Sequence, residues 1–139
     1  MRGLLIALCL VLTACATPSA TDDSLYRSLG EQPGITRIVE GMLLNVARDE
    51  RIVAHFQRVD IDLLRDRLVE KFCVIAGGPC VYKGETMEEG HKGLNLTRSD
   101  FNALVENLID SMDAQGIPVP TQNRLIARLA PMRGQVIER

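Results

Sequence analysis

Four stretches of this sequence set apolar residues three and four positions apart, the spacing that brings them onto one face of an α-helix. They are Ile35, Ile38, Val39, Met42, Leu43 and Val46; then Leu64, Leu68, Phe72 and Ile75; then Phe101, Leu104, Val105, Leu108, Ile109 and Met112; and last Leu125, Ile126, Leu129 and Met132. The pattern predicts helices over Ile35 to Ala47, over Ile61 to Ala76, from Thr97 onward, and from near Thr121. Thr97 followed by Asp100 is a capping-box signal for the third of these, and Pro131 should kink or shorten the last. Leu25 to Leu29 reads as one or two helical turns ended by Gly30, and Pro33-Gly34 as a second break. Ile52 to Phe56 reads as a short helix or turn. Gly77-Gly78-Pro79 ends the second long helix, and Cys80 to Leu96 is mostly loop with a helical turn around Met87 to His91. No strand ladder, internal repeat or low-complexity tract is evident, so the fold class is all-α.

The length bounds what such helices can build. A chain of 139 residues gives one domain with one core once a targeting segment is set aside, which excludes a two-domain enzyme. The formal net charge is −2, and losing Arg2 with that segment makes it −3. With no tryptophan and few other aromatics, nothing suggests a nucleic-acid partner.

The N-terminus carries the most specific local signal. Met1-Arg2 supplies a positive charge, Gly3 to Leu12 is uninterrupted and apolar, and Leu12-Thr13-Ala14 puts small residues before Cys15. The apolar run is short of the roughly 20 residues a membrane-spanning helix needs, so it reads as a signal that is removed. Leu12-Thr13-Ala14-Cys15 resembles the lipobox of bacterial lipoproteins. That resemblance implies a signal peptide over residues 1–14, cleavage before Cys15, lipidation of Cys15, and a lipid-anchored protein facing the periplasm. Ala16, not an acidic residue, follows Cys15, which points to the outer membrane in an organism that has one. A plain secretory signal with an incidental cysteine is the other reading. Residues 15–23 are small or polar and make a flexible leash, leaving 24–139 as the folded domain.

Cys9 departs with the signal and Cys15 is the lipid site, so Cys73 and Cys80 remain as a pair. Outside the cytoplasm they could form a disulfide; equally, Cys73 could be a buried helix residue and Cys80 a loop thiol.

Only two histidines exist, His55 and His91, and no cysteine pair has the spacing of a protein-only zinc site. No Gly-x-Ser-x-Gly turn or activated cysteine context is present. His91 stands between Gly90 and Lys92-Gly93. By that setting alone it is more often an exposed loop residue than a metal or haem ligand.

Several segments taken together change that reading. Gly34-Ile35, Val39-Glu40, Asp49 to Phe56, Val69-Glu70-Lys71-Phe72, Gly77-Gly78-Pro79, Tyr82 to Met87, His91-Lys92-Gly93-Leu94 and Phe101-Asn102-Ala103-Leu104 follow one another in order and spacing. From about Leu25 to Ile137 the chain resembles the group I truncated haemoglobins, the Met87 to Gly93 segment being the most specific part. The resemblance implies a two-over-two helical sandwich that binds haem b, with His91 as the proximal iron ligand. It places Phe56 and Met87 against the haem, Phe72 near the porphyrin edge, and Arg67 where a basic side chain can meet a propionate. Without the family, Phe56, Phe72 and Met87 read simply as core.

The distal positions depart from the family. Many members carry a tyrosine and a glutamine that donate hydrogen bonds to iron-bound oxygen; here those places hold Leu43 and Leu68, with Leu64 one turn earlier. None can donate. Losing one such bond costs on the order of 1.5 to 3 kcal/mol, roughly tenfold or more in affinity, which argues against high-affinity oxygen storage. An apolar pocket still admits diatomic gas ligands: carbon monoxide, nitric oxide, or oxygen with fast release. Met42 is a remote candidate for a second ligand, while His55 lies at a corner and points outward. No dinucleotide fingerprint is present, so any turnover would need an external electron donor. The competing reading, from another class, is a globin-shaped lipoprotein without haem that acts as an interaction module.

Overall fold

A computed structural model describes residues 21–139. The predicted signal peptide, the Cys15 lipid site and most of the leash lie outside the described residues. The described residues form seven α-helices: α1 (Ser24–Ser28), α2 (Glu31–Val46), α3 (Ile61–Ile75), α4 (Met87–His91), α5 (Arg98–Ala114), α6 (Val119–Leu129) and α7 (Arg133–Val136). A 3-10 turn over Val53–Phe56 lies between α2 and α3, and another over Ala130–Met132 joins α6 to α7. Among the described residues there is no strand.

Two helices begin earlier than the sequence pattern predicts, for one physical reason. The first N–H groups of a helix have no partner inside it, so a proline there forfeits nothing. Pro33 sits third in α2, where Gly34 N–H is the first to bond back, to Gly30 O at 3.0 Å. The expected break at Pro33-Gly34 is therefore the first turn of α2. In α6, Pro120 is the second residue and Pro118 caps the end, so that helix starts at Val119 rather than near Thr121. Pro131 does shorten α6, which gives way to the 3-10 turn and α7.

Helix α2 packs across α5 and against α3, while α6 meets both α3 and α5. The pair α2/α3 thus lies over the pair α5/α6, a two-over-two arrangement. Gly41 marks the closest point of the α2–α5 crossing: a Cβ there would strike the Ser111 hydroxyl, which donates to Ile38 O at 2.7 Å. The main core comprises Leu25, Leu29, Ile35, Ile38, Val39, Met42, Val69, Phe72, Cys73, Ala76, Leu108, Met112 and Leu125. Each large side chain buried in it contributes roughly 1.5 to 3 kcal/mol. A second cluster, Val46, Ile52 and Ala103, is separate, and Leu104 borders both.

Candidate functional site

The histidine singled out by the sequence ends α4, a helix of five residues. So short a helix does not hold itself together by hydrogen bonding. It is fixed from both ends. At its start, Thr86 Oγ1 accepts the Glu89 N–H at 3.2 Å and Glu89 Oε2 accepts the Thr86 N–H at 3.4 Å, a reciprocal capping box. Beyond its end, Gly93 and Asn95 N–H both donate to Arg139 O, at 2.8 and 3.1 Å. Glu138 N–H donates to Leu96 O at 2.9 Å, Arg139 pairs with Glu88 at 3.4 Å, and α4 packs on α7.

Within α4, His91 Nδ1 lies 2.7 Å from Met87 O. A carbonyl oxygen only accepts, so Nδ1 carries the proton, and in the neutral ring the lone pair is then on Nε2. His91 is half-buried, and among the described residues Nε2 has no hydrogen-bond or ion-pair partner. A histidine whose Nδ1–H is anchored on a backbone carbonyl is in the tautomer and orientation that metal-ligating histidines adopt. Among the described residues no group of three or more His, Cys, Asp or Glu converges as a metal site, so His91 is not part of a protein-only metal cluster. That fits an iron whose other in-plane ligands come from a macrocycle better than a bare ion.

The apolar side chains that the sequence singles out lie mostly on other elements. On α3, Leu64, Leu68 and Phe72 form a stripe one turn apart: Phe72 is buried in the main core, Leu68 sits on its margin, and Leu64 is half-buried outside it. On α2, Met42 is buried in the core and Leu43 is on its margin. Phe56 lies half-buried against the second cluster, and Met87 is half-buried at the start of α4. Helices α3 and α4 are not a closely packed pair. Half-buried apolar side chains lie on both, Leu64 and Leu68 on α3 and Met87 on α4. Two surface depressions among the described residues lie elsewhere: one polar, around Asn45, Asp49, Arg51 and Asn107, the other apolar, between α5 and α6. Neither is lined by His91, Met87, Leu64 or Leu68.

The corner that presents Phe56 is bolted to α5. Buried Asn107 donates to Asp49 Oδ2 at 2.7 Å, Asn45 donates to Asn107 O at 3.1 Å, and Arg51 bridges Asp49 and Glu106. The Arg51 and Asn107 bonds hold the Asp49 carboxyl far below the usual carboxylate range. His55 faces outward as expected, 3.5 Å from Asp100. Thr97 N–H and hydroxyl, with a smaller contribution from His55, hold Asp100 below its ordinary value.

Arg67 Nη1 lies 3.0 and 2.9 Å from the two oxygens of Glu70, so part of its donor capacity is spent inside α3; among the described residues Nε and Nη2 have no partner. Glu70 also accepts the Lys83 N–H at 3.0 Å, the largest influence lowering its pKa. The structure joins Cys73 and Cys80 in a disulfide with Cα atoms 5.9 Å apart. Sequence reasoning missed three of these positioning contacts: the Nδ1–Met87 bond, the Glu70–Lys83 bond and the Thr86–Glu89 box. Only the last had a readable signal, the same Thr-x-x-acid pattern recognised at Thr97.

The sequence profile of the family described as bacterial-like globin matches residues 24–138. The chain belongs to the bacterial-like globin family. Within it, this globin is 32% identical over 94 residues to a group 1 truncated hemoglobin of Tetrahymena pyriformis, covering 68% of this chain and 78% of the relative. It is 27% identical over 113 residues to the group 1 truncated hemoglobin GlbN of Mycolicibacterium paratuberculosis, covering 81% and 83%. The crystal structure of the Tetrahymena pyriformis protein, in an Fe(III) form, superposes with a TM-score of 0.81 at 28% identity, covering 83% of this chain and 98% of that one. The 2/2 hemoglobin of Synechococcus sp. PCC 7002, solved with covalently attached heme, gives 0.77 at 22% identity with the same coverage. That likeness is one of fold, and the fold is the two-over-two truncated globin.

Proposed function

We propose that this bacterial-like globin holds haem b between α3 and α4, with His91 Nε2 as the proximal ligand and an apolar distal side that takes diatomic gases. The observation that carries the reading is the His91 Nδ1–Met87 O bond, which leaves Nε2 without a partner among the described residues. Support comes from the family and from relatives whose names are those of hemoglobins. When bound, the haem supplies an iron with an open coordination position. The chain's own residues do the rest. Met87 O fixes the imidazole orientation and raises the basicity of Nε2. Leu43, Leu64 and Leu68 keep water out of the distal side and offer no donor there. Phe56, Phe72 and Met87 supply apolar contact, and Arg67 stands at the margin for a propionate.

The same reading anchors the globin by lipid at Cys15 to the periplasmic side of a bacterial membrane, the outer one where there are two. A Cys73–Cys80 disulfide suits an oxidising compartment. An external electron donor is the partner that any turnover requires.

Titrating haemin into the purified chain and its His91→Ala variant tests the proposal. The expected result is saturable uptake of one haem per chain, a reduced spectrum that shifts with carbon monoxide, and loss of both in the variant. Uptake that never saturates, or that ignores His91, refutes it and leaves a helical interaction module. Blocked lipid labelling in a Cys15→Ala variant tests the anchor separately.

A further inference from the structure

The segment from Pro79 to Thr86 has no helix of its own, yet it leads directly into α4 through the Thr86 cap. It is a strap laid against α3, which holds it at three residues within about one helical turn. Glu70 accepts the Lys83 N–H at 3.0 Å, the Lys71 ammonium lies 4.5 Å from the Tyr82 ring centre, and Cys73 is bonded to Cys80. The Tyr82 hydroxyl donates to Glu85 O at 2.8 Å, so the strap is braced between its tie points and the helix it delivers. These ties differ in kind. The Lys83 bond lies at the exposed surface, and the Lys71–Tyr82 contact joins two half-buried side chains; both are weak, reversible ties. The disulfide alone is covalent, and its Cys73 end is fully buried in the main core. Packing there is tight: a Cβ on Gly78 would strike both the Tyr26 ring and Cys73 Sγ.

We propose that Cys73–Cys80 is a thiol-operated latch that fixes the strap, and through it the His91 helix, against α3. Cys80 is half-buried on the strap and Cys73 is enclosed, so a reducing thiolate reaches the Cys80 sulfur. A dithiol reductant attacks there: the S–S bond breaks, a mixed disulfide forms at Cys80, and Cys73 departs as thiolate and takes up a proton. The second thiol of the reductant then closes on the first, releasing Cys80 as a thiol and leaving the reductant as its own disulfide. Two electrons and two protons pass to the globin. The strap is then held to α3 by its non-covalent contacts alone, while the core around Cys73 keeps its packing. Cys73 and Cys80 are positioning residues. Their effect on haem retention rests on the function proposed above; the latch itself does not.

Amide hydrogen exchange on the full purified chain, oxidised and then treated with dithiothreitol, reads the latch without haem. Peptide mass after alkylation reports the state of Cys73 and Cys80. The expected result is exchange over residues 80–91 at least tenfold faster once both are alkylated, with α2 and α5 unchanged and protection restored on reoxidation. A Cys80→Ser variant should exchange like the reduced chain whether or not dithiol is present. With haemin added, reduction should speed haem loss several-fold; a chain that takes no haem but shows the exchange change would refute the haem reading and keep the latch. Three results overturn the latch: both thiols alkylated with the strap still protected, α2 and α5 loosened as much as the strap, or no reduction of the native chain by the dithiol.

Discussion

The two sides of the candidate haem site are built on different plans. The α2/α3 side is made of two long helices whose buried faces form much of the main core; Leu43 and Leu68 pack on the margin of that core, and Leu64 is half-buried one turn before Leu68. The α4 side is a single five-residue helix whose place is set by a capping box, by backbone bonds to Glu138 and Arg139, and by a strap latched to α3. One side gets its rigidity from burial, the other from a few discrete ties. A substitution on the first should therefore change which ligand is held and how long. On the second it should change whether the imidazole is in place at all.

The sharpest break of that contrast is His91→Ala, expected to lower haem affinity at least about a hundredfold, since loss of a ligand should exceed the 10- to 100-fold cost of losing a ligand's outer partner. Fluorescence or absorbance titration checks it. Next comes removal of the latch: replacing Cys73 and Cys80 by serine closes no loop in the unfolded chain, and by chain entropy should cost about 2 to 3 kcal/mol in urea unfolding. On the other side, Leu43→Tyr should leave haem affinity unchanged and slow oxygen release by about tenfold, as one hydrogen bond to a charged group would. Stopped-flow oxygen release decides it; an unaltered rate would mean that position 43 does not face the ligand. Thr86→Ala should cost about 1 kcal/mol and loosen α4 selectively, while Thr97→Ala should cost a similar amount and loosen α5. Amide exchange resolved by helix separates the two.

The smallest effect concerns pH. Glu70 has its folded pKa depressed by the Lys83 N–H and then by Arg67. Its contribution is thus present above the ordinary glutamate value and lost as pH falls through the depressed one. Protection of the Lys83 amide, corrected for intrinsic exchange, should fall over that acidic range in the native chain and stay flat in Glu70→Gln.

The same contrast explains what could be read from the sequence. The α2/α3 side and α5 were legible because their apolar residues repeat at three and four, and because Thr97 and Asp100 announce a cap. The early starts of α2 and α6 were not, because proline reads as a breaker unless its place in the first turn is known. Leu43, Leu64, Leu68, Phe56, Met87 and His91 are named by the family pattern; the structure puts them on α2, α3, the 3-10 turn and α4, partly buried, apart from any closed pocket among the described residues. What fixes α4 was mostly illegible. Backbone bonds from Gly93 and Asn95 to Arg139 join positions far apart in sequence through groups every residue carries, and the Glu70–Lys83 bond uses a main-chain donor. Periodicity reports side chains that are buried, not backbone ties between loops.

The central claim is that His91 Nε2 is the ligand on the α4 side. The most direct measurement is the ferrous visible spectrum of the haemin-loaded chain, of its His91→Gly variant, and of that variant with added imidazole. The expected result is a spectrum that the variant loses and imidazole restores, because the cavity left in α4 admits the missing ring. Three identical spectra, or a variant that keeps the native spectrum without imidazole, would contradict it.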